Sequence, residues 1–215
     1  MKNLPWIVPA LLLWSTCVSA QVRIGPTAGF TYSSLRGDTP DNASYSSKPG
    51  FSAGAVGDIH LANDIVLSIQ PVYIQKGVNI AFDVGRNTMH DSLELRTEYF
   101  NVMAMVKILP DGGFTFVSGG LGFGFLGGAQ LTDINTGAKT ADVKSVFTGF
   151  DLSAAIGFGI MVHAGSSLLT FELRYDQSIT NIVNPDQDPL STGMPARARS
   201  TGLHLFAAYL FSLSE

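Results

Sequence analysis

The chain has 215 residues, 46% of them hydrophobic and only 14% charged, with a formal net charge of −4 and a single cysteine. A soluble domain typically carries about 25% charged residues, so the shortage argues against an ordinary water-exposed surface. The acidic balance excludes nucleic acid as a partner, and one cysteine leaves no disulfide framework.

Residues 1–20 read as an export signal. Lys2 precedes an apolar run through Ile7, Val8, Leu11 and Trp14, and Val18-Ser19-Ala20 places small or apolar residues before a cut at Gln21. Pro5 and Pro9 interrupt the run, which is too short for a membrane helix of about 20 apolar residues. Cys17 falls inside this segment, and a lipid-anchor reading of it lacks the Leu expected where Trp14 stands. The predicted organisation is therefore 1–20 signal peptide and 21–215 a single β-barrel domain.

Eight apolar-alternating segments follow, at 23–33, 51–61, 65–77, 93–108, 114–127, 146–163, 168–180 and 199–211, separated by 17, 3, 15, 5, 18, 4 and 18 residues. Tight turns on one side and long loops on the other are the rhythm of a chain that crosses a bilayer back and forth as a closed barrel. Each segment reaches the 9–11 or so residues a tilted strand needs to span. Because lipid cannot satisfy free backbone groups, the sheet must close on itself. The predicted class is all-β: an eight-stranded antiparallel up-and-down transmembrane barrel.

Which face meets lipid follows from the bland face of each strand. In 146–163 one face carries Phe150, Leu152, Ile156, Phe158 and Ile160, while the other carries Gly149, Asp151, Ser153, Ala155, Gly157 and Gly159. Water would favour Lys and Glu there, whereas small residues suit the crowded inside of a narrow barrel. If Val162 faces Leu169 across the turn Ala164–Ser167, Glu172 lies opposite Gly159 and Arg174 opposite Gly157. Around the turn Pro110-Asp111-Gly112-Gly113, pairing Ile108 with Thr115 sets Met103 against Gly120 and Tyr99 against Gly124. Large against small fills a lumen. Outward aromatics, Phe30, Tyr32, Tyr73, Phe150, Tyr175, Tyr209 and Phe211, match the interfacial girdles of membrane barrels. The last segment, amphipathic and ending on Phe211, resembles the signal read by outer-membrane assembly machinery, although Ser212-Leu213-Ser214-Glu215 extends past it.

The residues resemble the PorT-like outer-membrane β-barrel proteins typical of Bacteroidetes. Gly25 to Asp38, GPTAGFTYSSLRGD, is similar to that family's opening strand running into Ser-x-Leu-x-Gly-Asp. Leu67 to Asn79, LSIQPVYIQKGVN, resembles its Gln-Pro…Tyr…Gln-Lys-Gly strand. Tyr99 to Ile108 aligns with a strand that usually has Glu and Pro where this chain has Asn101 and Met103. The resemblance implies the barrel fold and the bacterial outer membrane and specifies no activity. A member of that family belongs to a protein-secretion system, which leaves a secretion or surface protein as an open partner beside outer-membrane lipid and the assembly machinery.

Candidate chemistry is sparse. His60, His90, His163 and His204 fall on four separate segments with no nucleophile motif around them, so the alternative of a lipid A-modifying barrel enzyme lacks a triad. His90 and Asp91 beside Asp83, and Asp186 with Asp188, are weak metal candidates in loops. Gly119 to Gly124 brushes against a phosphate-loop spacing without a following helix. Arg36-Gly37-Asp38 spells an adhesion tripeptide, and Asn42-Ala43-Ser44 a glycosylation acceptor without meaning in bacteria. The strongest constellation is a lumen charge cluster, Asp58, Arg96, Asp151, Glu172, Arg174 and Asp176, whose members are expected to pair in a poorly hydrated interior. The expected function is a non-enzymatic outer-membrane barrel with a filled lumen, no cofactor or metal, and a structural or interaction role in its loops. The soluble alternative is an exported lipocalin-like barrel holding an apolar ligand.

Overall fold

The computed structural model describes residues 21–37, 43–83, 90–110, 114–134, 139–184 and 197–213. Among them are nine strands: β1 (Val22–Gly37), β2 (Ala43–His60), β3 (Ile65–Asp83), β4 (His90–Ile108), β5 (Thr115–Asp133), β6 (Lys139–Asp142), β7 (Phe150–Ala164), β8 (Ser167–Ser178) and β9 (Ala198–Ser212). All neighbours pair antiparallel, and contact of β1 with β9 and of β4 with β5 closes eight of them into a ring. The short β6 lies outside the ring's circuit, paired only to the far end of β5.

The strands are longer than the sequence pattern suggests. The stretch from Ala43 to Gly50 reads as loop because of its Ser, Pro and Gly, yet it extends β2, with Tyr45 opposite Ile80 and Ser47 opposite Val78. A register shift between Ser47 and Ser52 absorbs Pro49 and Gly50. Pairing partners here override local propensity. In the other direction, the predicted segment 146–163 starts as a strand only at Phe150. Lys144–Val146 is a 3-10 turn, and Phe147 makes a lone bridge to Val183.

The expected register at the β7–β8 hairpin holds: Val162 faces Leu169, Glu172 faces Gly159 and Arg174 faces Gly157. The turn is tight, and Gly165 takes φ +66, the positive φ that a two-residue hairpin requires. Between β4 and β5 the register differs by two residues, with Ile108 opposite Val117, Met105 opposite Gly120, Met103 opposite Gly122 and Asn101 opposite Gly124. The connection is wider than Pro110 to Gly113, so the first ladder pair forms later. A slip of two keeps every side chain on its face, and methionines still meet glycines.

Outward residues form an apolar belt. On β1 it runs from Ile24 to Tyr32, on β4 from Phe100 to Ile108, on β7 from Phe150 to Val162 and on β9 from Leu203 to Phe211, with large side chains exposed throughout. The stretch from Ile24 to Tyr32 rises about 20 Å at ~3.3 Å per residue and a tilt near 45°, close to the ~25 Å apolar band of membrane barrels. A buried large apolar side chain is worth about 1.5–3 kcal/mol. A contiguous exposed apolar face marks a surface that a membrane or another apolar partner covers. Among the described residues no helix is long and apolar enough to cross a membrane.

Candidate functional site in the barrel lumen

The lumen is stacked in three layers. At the turn end Val56, Phe116, Met161, Leu168, Ala208 and Leu210 form one apolar cluster. At the loop end Val78, Ile80, Leu95, Tyr99, Leu126 and Leu131 form another, completed by Val143, Val146, Phe147, Ile182 and Val183 from the segments that fold over the mouth. Between them lies a buried network of charges, beside a third cluster of Val72, Ile74, Met103, Met105 and Ala155.

Alternation on each strand aims the charges inward. Lys107 donates to both oxygens of Asp58 at 2.8 and 3.1 Å, each side chain 2% exposed. Arg174 grips Glu172 through Nε at 3.0 Å and Nη2 at 2.8 Å, and Nη2 also donates to Gln70 Oε1 at 2.8 Å. Ser118 donates to the same carboxylate at 2.7 Å. Lys76 stands 3.4 Å from Asp176 and 3.6 Å from Asp151. Asp176 also meets His204 Nε2, and Asp151 accepts from Ser178 at 2.9 Å and Thr180 at 3.1 Å. Each cation also lies over a ring: Lys76 over Tyr99, Lys107 over Phe116 and Arg174 over Phe206, at 5.5, 5.3 and 4.7 Å from the centroids. Such contacts replace the hydration that burial removes.

Glycine makes this packing possible. A Cβ on Gly157 would come within 2.5 Å of Ser118 Oγ and 2.6 Å of Glu172 Oε1, one on Gly122 within 2.5 Å of Met103 Sδ, and one on Gly159 would overlap the Phe116 ring. Two cavities in the lumen are about 10 Å3 each; one is lined in part by Lys76, Tyr99 and Ile182, the other by Asn101, Arg174, Asp176 and His204. That is the room of about one water molecule.

Of the six residues expected in the lumen, Asp58, Asp151, Glu172, Arg174 and Asp176 are buried there, and Arg96 is not: it is exposed on the outer face. Inward positions of β4 are odd-numbered from Leu95 through Lys107 without a break, because the register shift beside Glu98 is taken up on β5 at Gly127. Arg96 stands beyond the apolar belt, between Glu94 and Glu98 on the same face. There the outside is polar and the inside, at Leu95 and Tyr99, is apolar. Sequence reasoning missed Lys76 and Lys107, although Lys107 shares the parity of Asn101, Met103 and Met105, and it placed His204 at a lumen or rim position without joining it to the charges.

The other candidates do not converge. His163 is exposed beside the β7–β8 turn, His60 ends β2 with its Nδ1 3.2 Å from the Gln21 carbonyl, and His204 joins the lumen. Asp83 and His90 pair by backbone across the β3–β4 hairpin. Asp186, Asp188, Asp38, Asn42 and residues 1–20 lie outside the described residues.

The solved structures to which the chain is similar include three outer-membrane or surface proteins. The attachment invasion locus protein Ail of Yersinia pestis is 15% identical, with 89% of this chain and 99% of that one covered and a TM-score of 0.46. Neisserial surface protein A (NspA) is 12% identical, with coverages of 86% and 95% and a TM-score of 0.45. The outer membrane protein OprG of Pseudomonas aeruginosa is 12% identical, with coverages of 91% and 97% and a TM-score of 0.42. A search of curated protein sequences matched nothing. A family model described as outer membrane protein beta-barrel domain matches residues 18–184 and so takes in every strand of the ring but the closing β9. With most of its length in that match and its eight strands closed around a packed lumen, the chain belongs to the outer membrane β-barrel domain family and resides in the bacterial outer membrane.

Proposed function

We propose that the protein is a non-conducting, non-enzymatic barrel that anchors an interaction surface at the outside of the outer membrane, with both termini and the tight turns in the periplasm. The observation that carries this reading is the layered lumen, a charge network closed above and below by apolar clusters. His204 and Asp176 make an acid–base pair, but both are at most 3% exposed, out of reach of lipid or solute. With apolar side chains turned outward and charges inward, the interior holds no apolar ligand of the lipocalin kind. The PorT-like motifs from Gly25 and from Leu67 support a Bacteroidetes-type origin, and residues 1–20 serve as the export signal in this reading. Assembly machinery would read the amphipathic β9, and the partner of the surface is a protein.

Single-channel recording in planar bilayers tests the seal. The wild-type protein gives no steady conductance, and a stable open channel at neutral pH would refute the proposal. Impermeant thiol labelling of cysteines placed at Gly137 or Asp186 in intact cells checks the orientation; labelling at Asn63 instead would reverse it.

A further inference from the structure

Above the belt, the outer face is electrically uneven. Around β4 the charges balance: Lys48 pairs with Glu94, and Arg96 stands between Glu94 and Glu98. On the seam between β1 and β9 they do not. Arg36 and Arg199 are direct cross-strand partners, both exposed, and Arg197 follows on the same face of the chain, also exposed. Among the described residues none of the three has an ion-pair partner. Like charges directly opposite each other in a sheet are destabilising, and an anion between them removes the penalty.

Directly below on the same two strands lies a second feature. One step down, Ser34 faces Thr201, whose hydroxyl donates to Tyr175 Oη at 3.0 Å. Further down, Ala53, Ala28 and Ala207 form one row across β2, β1 and β9, bordered by Phe30, Phe51 and Leu205. The row of small side chains between large ones leaves a groove of about 540 Å3 in the lipid-facing surface, within the ~300–1,000 Å3 usual for ligand sites. Arg36 and Ala28 are eight residues apart, about 26 Å along the strand at ~3.3 Å per residue. Cationic rim, hydroxyl step, the apolar rows Tyr32–Leu203 and Phe30–Leu205 and then the alanine groove thus follow one another along the seam from water into lipid.

We propose that the β1–β9 seam binds one phosphate-bearing lipid of the outer leaflet, its phosphate held by Arg36 and Arg199 and an acyl chain laid over the alanine row. Guanidinium groups match phosphate oxygens two at a time, and the groove is continuous with the belt that acyl chains already cover. This site rests on the outer-membrane reading of the chain. Heat-modifiable migration on a detergent gel separates the two: an unshifted wild-type band would sink the barrel, whereas a shifted band without lipid binding sinks only the site.

The test is native mass spectrometry of the folded mature protein in neutral detergent, titrated with bisphosphorylated lipid A, with its dephosphorylated form and with a soluble sulfated oligosaccharide. The wild type should retain one lipid A. Arg36→Ala with Arg199→Ala, or Arg36→Gln with Arg199→Gln should the first pair not fold, should weaken retention about 30-fold, each basic side chain weighing about fivefold at an anionic surface. Dephosphorylation should weaken it as much, Ala28→Phe should weaken it by filling the groove, and Arg96→Ala should leave it unchanged. Equal retention by the double variant overturns the proposal. So does full displacement of lipid A by the soluble polyanion, which would assign the arginines to a surface polysaccharide.

Discussion

A buried carboxylate survives in a membrane barrel only beside a cation, and Asp58 with Lys107 shows how closely the two depend on each other. Removing one partner of such a pair leaves an uncompensated charge and costs about 3–5 kcal/mol, while replacing both by apolar groups is often neutral. Lys107→Met should therefore lower the urea midpoint in a bilayer far more than Asp58→Leu with Lys107→Met together, and Arg96→Met should shift stability by less than about 0.5 kcal/mol, as expected at an exposed site. Gly159→Leu, driven into the Phe116 ring, should lose about 1–3 kcal/mol or more by overpacking. At this scale the sequence was legible where alternation was clean. Glu172, Arg174 and Asp176 alternate with Phe171, Leu173 and Tyr175, so their face is plain. Lys76 follows Gln75, two polar residues in succession, and parity alone cannot choose between them. Lys107 lies next to a turn, where a lysine ordinarily reaches solvent.

Each strand crosses two solvents, and the sense of its pattern inverts where they meet. On β4, odd positions point inward from Leu95 through Lys107. In the belt they are the polar or soft residues Asn101, Met103 and Met105; above it they are Leu95 and Tyr99 against an apolar plug. Reading the apolar residue as the lipid-facing one is right in the belt and wrong above it, where it would turn Leu95 outward and Arg96 inward. The inversion is testable on β5 and β7. Ile156→Arg, at the outward middle of the belt, should cost about 2–4 kcal/mol. Above the belt, Gln130→Lys should be tolerated within about 0.5 kcal/mol, whereas Leu131→Lys should abolish the heat-modifiable band. Elements with no periodicity were the least legible: β6 and the 3-10 turn owe their positions to β5 and to Val183, partners that no local pattern reveals.

For the molecule as a whole, the ring of strands turns the usual order inside out across the membrane and restores it at the mouth. The outer face dissolves in lipid, the middle of the lumen is held by ion pairs, and apolar clusters stop both ends. The alternation of long and short connectors and the low charge indicate the barrel and its compartment before any coordinate is known. The closed mouth is not legible there, because residues 143–147 and 182–183 gain their partners only when the barrel brings them together. The central claim is that lipid touches the even-numbered face of β7 and protein the odd-numbered one. Site-directed spin labelling in liposomes measures this directly, with single cysteines from 152 to 161 in a chain whose one native cysteine, Cys17, is replaced by serine. The account predicts high accessibility to oxygen and low accessibility to a nickel chelate at Ile156, Phe158 and Ile160, with neither reagent reaching Ser153, Ala155 and Met161. The opposite alternation, or nickel reaching the odd positions, would contradict it.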